Sequence, residues 1–483
     1  MRDWLRVAGR FARRLGAPTG RAVAVRRAAL ATLLFGGFTA WFTVLRLWQH
    51  YSFRTSAYDL SLFDYALYYT VRGRMLWSPF LPVSNLLSDH FSPALLLLTP
   101  LYWLHDGPIG LLVVQTVAVV ASGVPLYLAA TQLLESHVLA ALLTAAYFGN
   151  RYLFRGLVYD FHPEMWLPVF FLFGLWLIEL RRRRAWGTAV LLLAMLVKED
   201  VPIYVAMVGG YCLLRREIRT GAWLLAGSAA YGVFVGLVGF PALFRPPPPF
   251  ALSAWTAHGD SLPAIVGSFV SHPARALHVF VAPALAGLLA TFGFLPLLSP
   301  LTLLPALPAV FVNLSADSGG QRAFHVYYAA ASLPFLAWGT VRALAWIRRA
   351  GRRGPAIVAA LALVLAVVNH DYARSPAGPA RARAGHAVLA EIPTGASVAA
   401  TSPLVPHLPK RECVFVVGMN WHGEPVEYVV LDERSRAWPL TRQDTQTLVR
   451  DLDRDPRYQR VSERRGYILF RRTGAREVAC EAR

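Results

Sequence analysis

The chain has 483 residues, of which 55% are apolar and only 16% are charged. Soluble domains carry about 25% charged residues, so this composition excludes an ordinary soluble protein and indicates a polytopic membrane protein. The net charge of +20 would suit nucleic acid, but the arginines lie in short clusters between apolar runs, as in loops that orient a membrane protein. We therefore expect the lipid bilayer as a partner and no nucleic acid.

The N-terminal part predicts the orientation in the membrane. Residues 1–27 are rich in arginine and precede the first apolar run, 28–48, which is long enough to span a bilayer. The start is too basic and too long for a cleavable signal peptide. By the positive-inside rule this end is cytoplasmic. A large first outer loop, residues 49–107, should follow, with interfacial segments at 60–72 and 93–104.

Apolar runs predict about eleven spans, an all-α polytopic membrane domain over residues 28–370, with the N-terminus inside and the C-terminus outside. The spans are 28–48, 108–134, 138–154, 164–180, 186–197, 201–214, 220–240, 276–296, 297–313, 326–347 and 355–370. The arginine clusters were not used to assign the spans, yet all of them then fall inside, at 1–27, 181–184, 215–219 and 348–353.

The composition changes after about residue 371. Residues 371–385 predict a linker, and residues 386–483 predict a small extracytoplasmic α/β domain. Its short buried strands are expected at SVAAT, ECVFVV, EYVVLD and YILF, with a helix at 441–454. Cys413 and Cys480 lie in this domain, and the sequence leaves open whether they pair.

Carboxylates and histidines gather in the segment that follows the first span. YDLSLFDYAL carries Asp59 and Asp64, and SDHFSP carries Asp89 and His90. Ionisable groups at a bilayer boundary are costly and indicate a functional site. Asp59 is either the N-cap of the following helix or a general base that deprotonates an acceptor hydroxyl. Asp89 and His90 are either a loop pair or part of a metal or phosphate site.

A second cluster lies in YDFHPE, on the same predicted side of the membrane. Asp160, His162 and Glu164 alternate along the chain, so their side chains can converge in an extended segment. Histidine and carboxylate ligands suit Mn²⁺ or a similar divalent ion. A helix cap followed by an interfacial histidine is the alternative of equal weight.

A third cluster is VKED, which carries Lys198, Glu199 and Asp200. It is either a short connecting turn or a site at which the lysine contacts phosphate as a point charge. His325 is a further candidate for substrate or phosphate binding, whereas the tyrosines next to it favour an aromatic belt at the membrane interface.

Several motifs together resemble the DUF2079 family of predicted multi-spanning membrane proteins. They are YDLSLFDYAL, SDHFSP, YDFHPE, VKED, IPTGASVAATSPLVPHLPKR and EYVVLD, from about Asp59 to about Asp432. The layout is similar to the GT-C superfamily of membrane glycosyltransferases, which have many spans and an acidic residue right after the first one. By this resemblance Asp59 falls where the catalytic carboxylate usually lies.

The resemblance implies a GT-C glycosyltransferase of the bacterial or archaeal cytoplasmic membrane, which transfers a sugar from a polyprenyl-phosphate donor to an envelope acceptor at the outer face. Asp59 or Asp64 would be the base. Lys198, His162 and a divalent ion (Mn²⁺ or Mg²⁺) would balance the leaving phosphate, and Tyr58 would stack on sugar or isoprenoid. A transporter or flippase, with polar sites near the midplane, and a non-catalytic scaffold are the alternatives.

Overall fold

The computed structural model describes residues 20–81, 85–239, 253–351, 353–368, 378–435 and 438–474. The α-helices are α1 Gly20–Tyr51, α2 Leu62–Thr70, α3 Thr99–Leu104, α4 Ile109–Leu134, α5 His137–Phe148, α6 Arg151–Val158, α7 Leu167–Leu175, α8 Arg184–Ala194, α9 Val201–Leu214, α10 Ile218–Phe234, α11 Leu262–Ser271, α12 Pro273–Val279, α13 Pro283–Ala290, α14 Leu307–Leu314, α15 Gly319–Arg322, α16 Leu333–Arg349, α17 Gly354–Val368, α18 Pro379–Leu389 and α19 Arg442–Arg454. Turns of 3₁₀ helix lie at Leu86–Ser88, Pro93–Leu98, Pro163–Trp166, Met195–Val197, Leu295–Leu298, Pro300–Ala306 and Ser402–His407, and π-helical turns at Ala57–Ser61, Trp176–Leu180 and Val235–Gly239.

The polytopic membrane domain expected from the sequence is confirmed. Within the described ranges, five helical stretches are long and apolar enough to cross a bilayer: Val25–Tyr51, Ile109–Leu134, Pro163–Leu180, Ile218–Gly239 and Pro273–Ala290. Other apolar helices have 10–17 residues, below the roughly 20 residues that a straight span requires. The total of eleven spans therefore stays a prediction.

Three predicted spans differ from the structure. The segment predicted to span at 326–347 becomes helical only at Leu333, because residues 323–332 form turns in which Phe324 and Val326 have positive φ angles. Of the predicted pair 276–296 and 297–313, the first overlaps the candidate stretch Pro273–Ala290, which a turn interrupts between Val279 and Pro283, and the rest forms short α and 3₁₀ pieces. Proline removes a backbone donor and clashes with the preceding turn, so this proline-rich stretch does not form continuous helices.

The two ends of the helix bundle carry different chemistry. The end formed by residues 51–81, 85–108, 159–163, 198–200 and 323–332 is called the loop face here, and the opposite end the arginine face. At the arginine face Arg348 pairs with Glu135 at 2.7 Å. Nearby, the Glu179 carboxylate accepts hydrogen bonds from Tyr211 Oη at 2.6 Å, Trp338 Nε1 at 3.0 Å and Arg342 at 2.5 Å. This buried carboxylate therefore joins α9 and α16 to the helix that ends at Leu180.

The C-terminal domain contains a sheet, as the sequence predicts, but the sheet has five strands where the sequence predicts four. The strands are β1 Val398–Ala400, β2 Val414–Val416, β3 Tyr428–Asp432, β4 Tyr458–Arg464 and β5 Tyr467–Arg472, in the order β2-β1-β3-β5-β4. β1 pairs in parallel with β2 and β3, and the remaining pairs are antiparallel. The sequence does not predict β4, since this edge strand is mostly exposed and lacks a buried run.

The sheet is covered on both faces. On one face Val429, Leu431 and Phe470 pack in a cluster with Val449 and Leu452 of α19. On the other face Val398, Ala400, Val430 and Leu469 belong to the same apolar core as the membrane helices. The inner strands are therefore apolar at successive positions, as expected for a sheet that is buried on both sides.

Specific contacts fix this domain on the first loop. The Ala57 N–H donates to Ser402 Oγ at 3.1 Å, and the His50 and His407 rings stack 4.2 Å apart. α18 includes the last residues of the segment predicted as a linker, 371–385. Residues 371–377 and Cys480 lie outside the described residues, so pairing of Cys480 with another cysteine stays a prediction.

Candidate active site

The loop between α6 and the turn at Pro163 is held by polar side chains from two membrane helices. Arg46 of α1 donates to the Val158 carbonyl at 2.6 Å and to the Asp160 carbonyl at 2.9 Å. The Gln115 side chain of α4 donates to the Asp160 carbonyl at 2.8 Å and accepts from the His162 N–H at 2.7 Å. Buried backbone groups need such partners, so these two side chains fix the loop.

Asp59 is directed towards this loop by an irregular turn of the backbone. It lies in the π-helical turn Ala57–Ser61 and is 7% exposed, so it is not the N-cap of α2. Tyr159 Oη donates to Asp59 Oδ2 at 2.5 Å, and His162 Nε2 lies 3.2 Å from Asp59 Oδ1. π-Helical turns are frequent at functional sites. The turn thus brings a carboxylate from the first loop to the YDFHPE segment.

The contacts continue from His162 to a lysine. His162 Nδ1 lies 3.5 Å from Glu164 Oε2, and Lys198 Nζ donates to Glu164 Oε1 at 2.9 Å. Asp59, His162, Glu164 and Lys198 therefore form a chain of alternating charge, called the charge chain below. Among the described residues, His162 Nε2 and Glu164 Oε2 make no well-aligned hydrogen bond, so their contacts within the charge chain are mainly electrostatic.

Two carboxylates, Asp59 and Glu164, keep His162 in the middle of the charge chain protonated. Burial by itself lowers the pKa of His162, but Asp59 and Glu164 outweigh this effect and raise the pKa to about 9. Burial also lowers the pKa of Lys198, but the charges of Glu164, Asp200 and Glu199 outweigh this effect and raise the pKa above its usual range. At neutral pH the site therefore offers two positive charges beside the Asp59 carboxylate.

A second pair lies next to the charge chain. His90 Nδ1 is 3.0 Å from Glu199 Oε1, and the Phe91 N–H donates to Glu199 Oε2 at 2.9 Å. Burial raises the pKa of Glu199, but His90 and then Lys198 outweigh it and hold the pKa below its usual value. The pair joins the first loop to the VKED turn, so SDHFSP reaches the same part of the loop face.

Three other predicted carboxylates lie around this centre: Asp89 and Asp160 are buried, and Asp200 is half-buried. The Asp160 carboxylate accepts from the Ser56 hydroxyl at 2.5 Å and the Ser56 N–H at 3.1 Å. Burial and then the charge of Asp59 raise the pKa of Asp160 to about 7. Asp200 accepts from Tyr204 Oη at 2.5 Å. Burial raises the pKa of Asp200 and of Asp89.

Asp64 and His325 lie apart from the charge chain. Asp64 is fully buried, pairs with Lys410 of the C-terminal domain, and accepts from Tyr102 Oη at 2.8 Å. Five residues separate it from Asp59, so on a helix the two carboxylates point in different directions. His325 lies exposed in the turn before α16. Tyr58 borders the centre, and its ring lies 5.0 Å from that of Trp438.

Several residues of the centre do not stand out in the sequence. The Tyr327 ring stacks on His162 with the centroids 3.6 Å apart, although the sequence favours an interfacial aromatic belt for it. Tyr159, Arg46 and Gln115 also complete the site. The sequence does contain a signal for Arg46 and Gln115. Each is a polar side chain within an apolar run, and such side chains usually face other protein groups and indicate a functional site.

The predicted metal ligands do not converge. Within the residues that the structure describes, no group of three or more His, Cys, Asp or Glu side chains could hold a metal ion. The Asp160 carboxylate is bound to Ser56, and His162 lies between two carboxylates. A divalent ion stays a prediction.

Comparisons with known proteins address the family and the fold. The family model described as predicted membrane protein (DUF2079) matches residues 49–469. The structure is similar to the crystal structure of ArnT from Cupriavidus metallidurans bound to undecaprenyl phosphate, with a TM-score of 0.52 and 11% sequence identity, over 91% of this chain and 98% of that chain. No curated protein matches the sequence significantly. At 11% identity this likeness establishes a GT-C-like membrane fold alone.

Proposed function

Because the chain belongs to the DUF2079 family of predicted membrane proteins and has a GT-C-like fold, we propose that it is a glycosyltransferase with a polyprenyl-phosphate sugar as donor. The observation that carries the proposal is the charge chain. It combines a carboxylate that suits a base with two cations that suit a leaving phosphate, all at one end of a membrane bundle. The undecaprenyl phosphate bound to ArnT supports the same class of lipid here.

The reaction assigns a role to each end of the charge chain. The acceptor hydroxyl gives its proton to Asp59 as its oxygen bonds to the anomeric carbon of the donor sugar. The bond from that carbon to the phosphate oxygen breaks, and polyprenyl phosphate leaves with the electron pair. Lys198 and protonated His162 balance the charge that develops on the phosphate. Glu164 lies between the two cations and holds both in place.

The position of the site favours transfer over transport. Transporters place their polar sites near the midplane of the membrane, whereas the charge chain lies at the loop face. We propose that the loop face is extracytoplasmic, because the arginine clusters lie at the opposite end and arginine favours the cytoplasmic side. The acceptor would then be a component of the cell envelope.

The test uses the full-length protein in lipid nanodiscs with radiolabelled polyprenyl-phosphate hexose and pentose donors. Envelope from a strain that lacks the protein supplies the acceptor. We expect the wild type to release polyprenyl phosphate and to move label to the envelope, and we expect Asp59→Asn and Lys198→Ala to do neither. Trp186→Ala, which alters an exposed residue of α8, is the control and should match the wild type.

Two results would reject the proposal. One is equal release of polyprenyl phosphate by the wild type and both site variants. The other is movement of intact donor across a vesicle membrane with no cleavage of the sugar–phosphate bond, which would identify a flippase.

A further inference from the structure

One exposed tryptophan of the C-terminal domain lies beside the site. The Trp438 side chain is 61% exposed, and its ring meets the Tyr58 ring edge to face at 5.0 Å and 66°. Tyr58 directly precedes Asp59 and is half-buried. A single exposed apolar residue is common on protein surfaces, so its position must decide whether Trp438 has a function.

Aromatic rings lie near both Trp438 and the charge chain. Tyr58 contacts Trp438 and directly precedes Asp59, and burial, followed by the charges of Asp89 and Asp59 and by Tyr328, raises its pKa. The Tyr328 ring lies 4.7 Å from that of Tyr327, which stacks on His162. Two pairs of rings, named the aromatic wall here, thus border the charge chain: Trp438 with Tyr58, and Tyr328 with Tyr327.

The part of the C-terminal domain around Trp438 is fixed relative to the site. Ser402 binds the backbone of the turn that carries Asp59, and Lys410 pairs with Asp64. The Asn420 side chain donates to the Pro79 carbonyl of the first loop at 3.1 Å. Because these contacts join the domain to the first loop at three places, the Trp438 ring is held close to the centre.

We propose that Trp438 and Tyr58 form a subsite for a saccharide ring of the acceptor. A sugar presents a face of C–H groups that packs on an aromatic ring, and both tryptophan and tyrosine combine an apolar face with a polar edge. The inference rests on the proposed function.

The acceptor, and not the donor, is assigned to this subsite. The isoprenoid chain of a donor is confined to the bilayer, and its phosphate is assigned to Lys198. Trp438 belongs instead to the C-terminal domain, which covers the loop face beyond the ends of the helices. The ring therefore lies on the water side of the site and suits the acceptor, which reaches the site from outside the bilayer.

The test measures saccharide binding separately from turnover. The full-length protein in nanodiscs is examined by saturation-transfer difference NMR with methyl α-mannopyranoside, methyl β-galactopyranoside and methyl α-arabinofuranoside. We expect a saturation-transfer signal from at least one probe. Aromatic contacts contribute about 0.5–1.5 kcal/mol, so this signal should fall roughly two- to tenfold in Trp438→Ala and persist in Trp438→Phe. Trp186→Ala, at 67% exposure, is the matched control and should leave the signal unchanged.

The outcomes separate the subsite from the transferase. An unchanged signal in Trp438→Ala, or no signal from any probe with the wild type, overturns the subsite even if the wild type releases polyprenyl phosphate. A Trp438-dependent signal without donor cleavage leaves the subsite standing and rejects the transferase. Asp59→Asn should keep the wild-type signal, since Asp59 is assigned to the chemistry and not to the aromatic wall.

Discussion

At the scale of single residues, Asp59 and Asp64 are similar in sequence and different in the folded chain. Both follow the first span within a few residues, and both are acidic side chains among aromatic ones. The π-helical turn directs Asp59 to His162 and Tyr159, whereas the regular turn of α2 directs Asp64 to Lys410 and Tyr102. One carboxylate therefore contacts the charge chain, where the proposed reaction uses it as the base, and the other contacts the C-terminal domain.

Matched variants can distinguish the roles of Asp59 and Asp64. Asp59→Asn still accepts the hydrogen bond from Tyr159, and we expect it to lower donor turnover by about 10²–10⁴-fold, the usual contribution of a general base. Asp64→Asn leaves Lys410 buried without its partner, which costs about 3–5 kcal/mol. It should lower the melting temperature far more than Asp59→Asn does. Turnover and thermal melting of both variants check this, and full turnover in Asp59→Asn would remove it from the chemistry.

The positive charge of His162 predicts that turnover decreases at alkaline pH. Its pKa is raised to about 9, above the value of about 6.5 in the unfolded chain. The stabilising contribution of the protonated ring is therefore complete below pH 6.5 and is lost as the pH rises through 9. We expect turnover to fall in the same range. His162→Gln should be slow at every pH and lack this fall, and a wild-type rate that is constant from pH 8 to 10 would contradict the assignment.

At the scale of elements, the site depends on how membrane helices hold a loop that has no regular structure. Gln115 of α4 lies within reach of four carbonyl groups of residues 156–160 and accepts from the His162 N–H. Arg46 of α1 binds the same loop from another side. The two helices therefore position His162 although neither contributes a residue to the charge chain.

Removal of the Gln115 amide should loosen this loop. Gln115→Leu leaves buried backbone groups without partners, at a cost of about 1–3 kcal/mol. We expect faster hydrogen exchange at residues 156–162 together with lower turnover. Thr116→Val is the matched control, because the Thr116 hydroxyl binds only the Leu112 carbonyl of its own helix among the described residues. Equal exchange in both variants would show that Arg46 alone is sufficient to hold the loop.

The elements differ in how far the sequence predicts them. The long apolar runs and the strands SVAAT, EYVVLD and YILF are local signals, and the corresponding elements lie close to the expected bounds. Residues 276–313 break into short pieces because proline prevents continuous helix. The alternation in YDFHPE predicts that Asp160, His162 and Glu164 converge. His162 and Glu164 do lie together, but Asp160 binds Ser56, a partner more than 100 residues away that the local pattern does not reveal. Tyr327 likewise reaches His162 only through the tertiary fold.

At the scale of the whole molecule, the C-terminal domain is part of the same folded unit as the membrane helices. One face of its sheet shares their apolar core, and a histidine cluster lies at the junction. The His407 ring stacks on His50 at 4.2 Å, lies 5.2 Å from His386, and contacts Phe53 at 4.4 Å. The docked position of the domain therefore brings three titratable rings together.

Acid should weaken this docking. Burial, and then His50 and His386, hold the pKa of His407 well below its usual value, so the docked state contains the neutral ring. Its contribution to stability is complete above about pH 6.5 and is lost as the pH falls through the depressed pKa. We expect the melting temperature to fall between pH 7 and pH 5.

Variants of two histidines check the source of this effect. His407→Phe keeps a ring in the stack and should reduce the dependence of melting on pH. His422→Phe alters an exposed histidine of the same domain and should leave the dependence as it is in the wild type. An undiminished dependence in His407→Phe would assign it to other groups.

The contact between Ala57 and Ser402 has a consequence for biosynthesis. The two residues are 345 positions apart in the chain, and a ribosome adds about 5–20 residues per second. The turn that carries Asp59 therefore waits roughly 20–70 seconds after its own synthesis for the residue that supports it. During this interval the nascent chain contains the charge chain but not yet the C-terminal domain that packs beside it. The complete site thus assembles only at the end of translation, because a chain that lacks the last hundred residues also lacks Ser402.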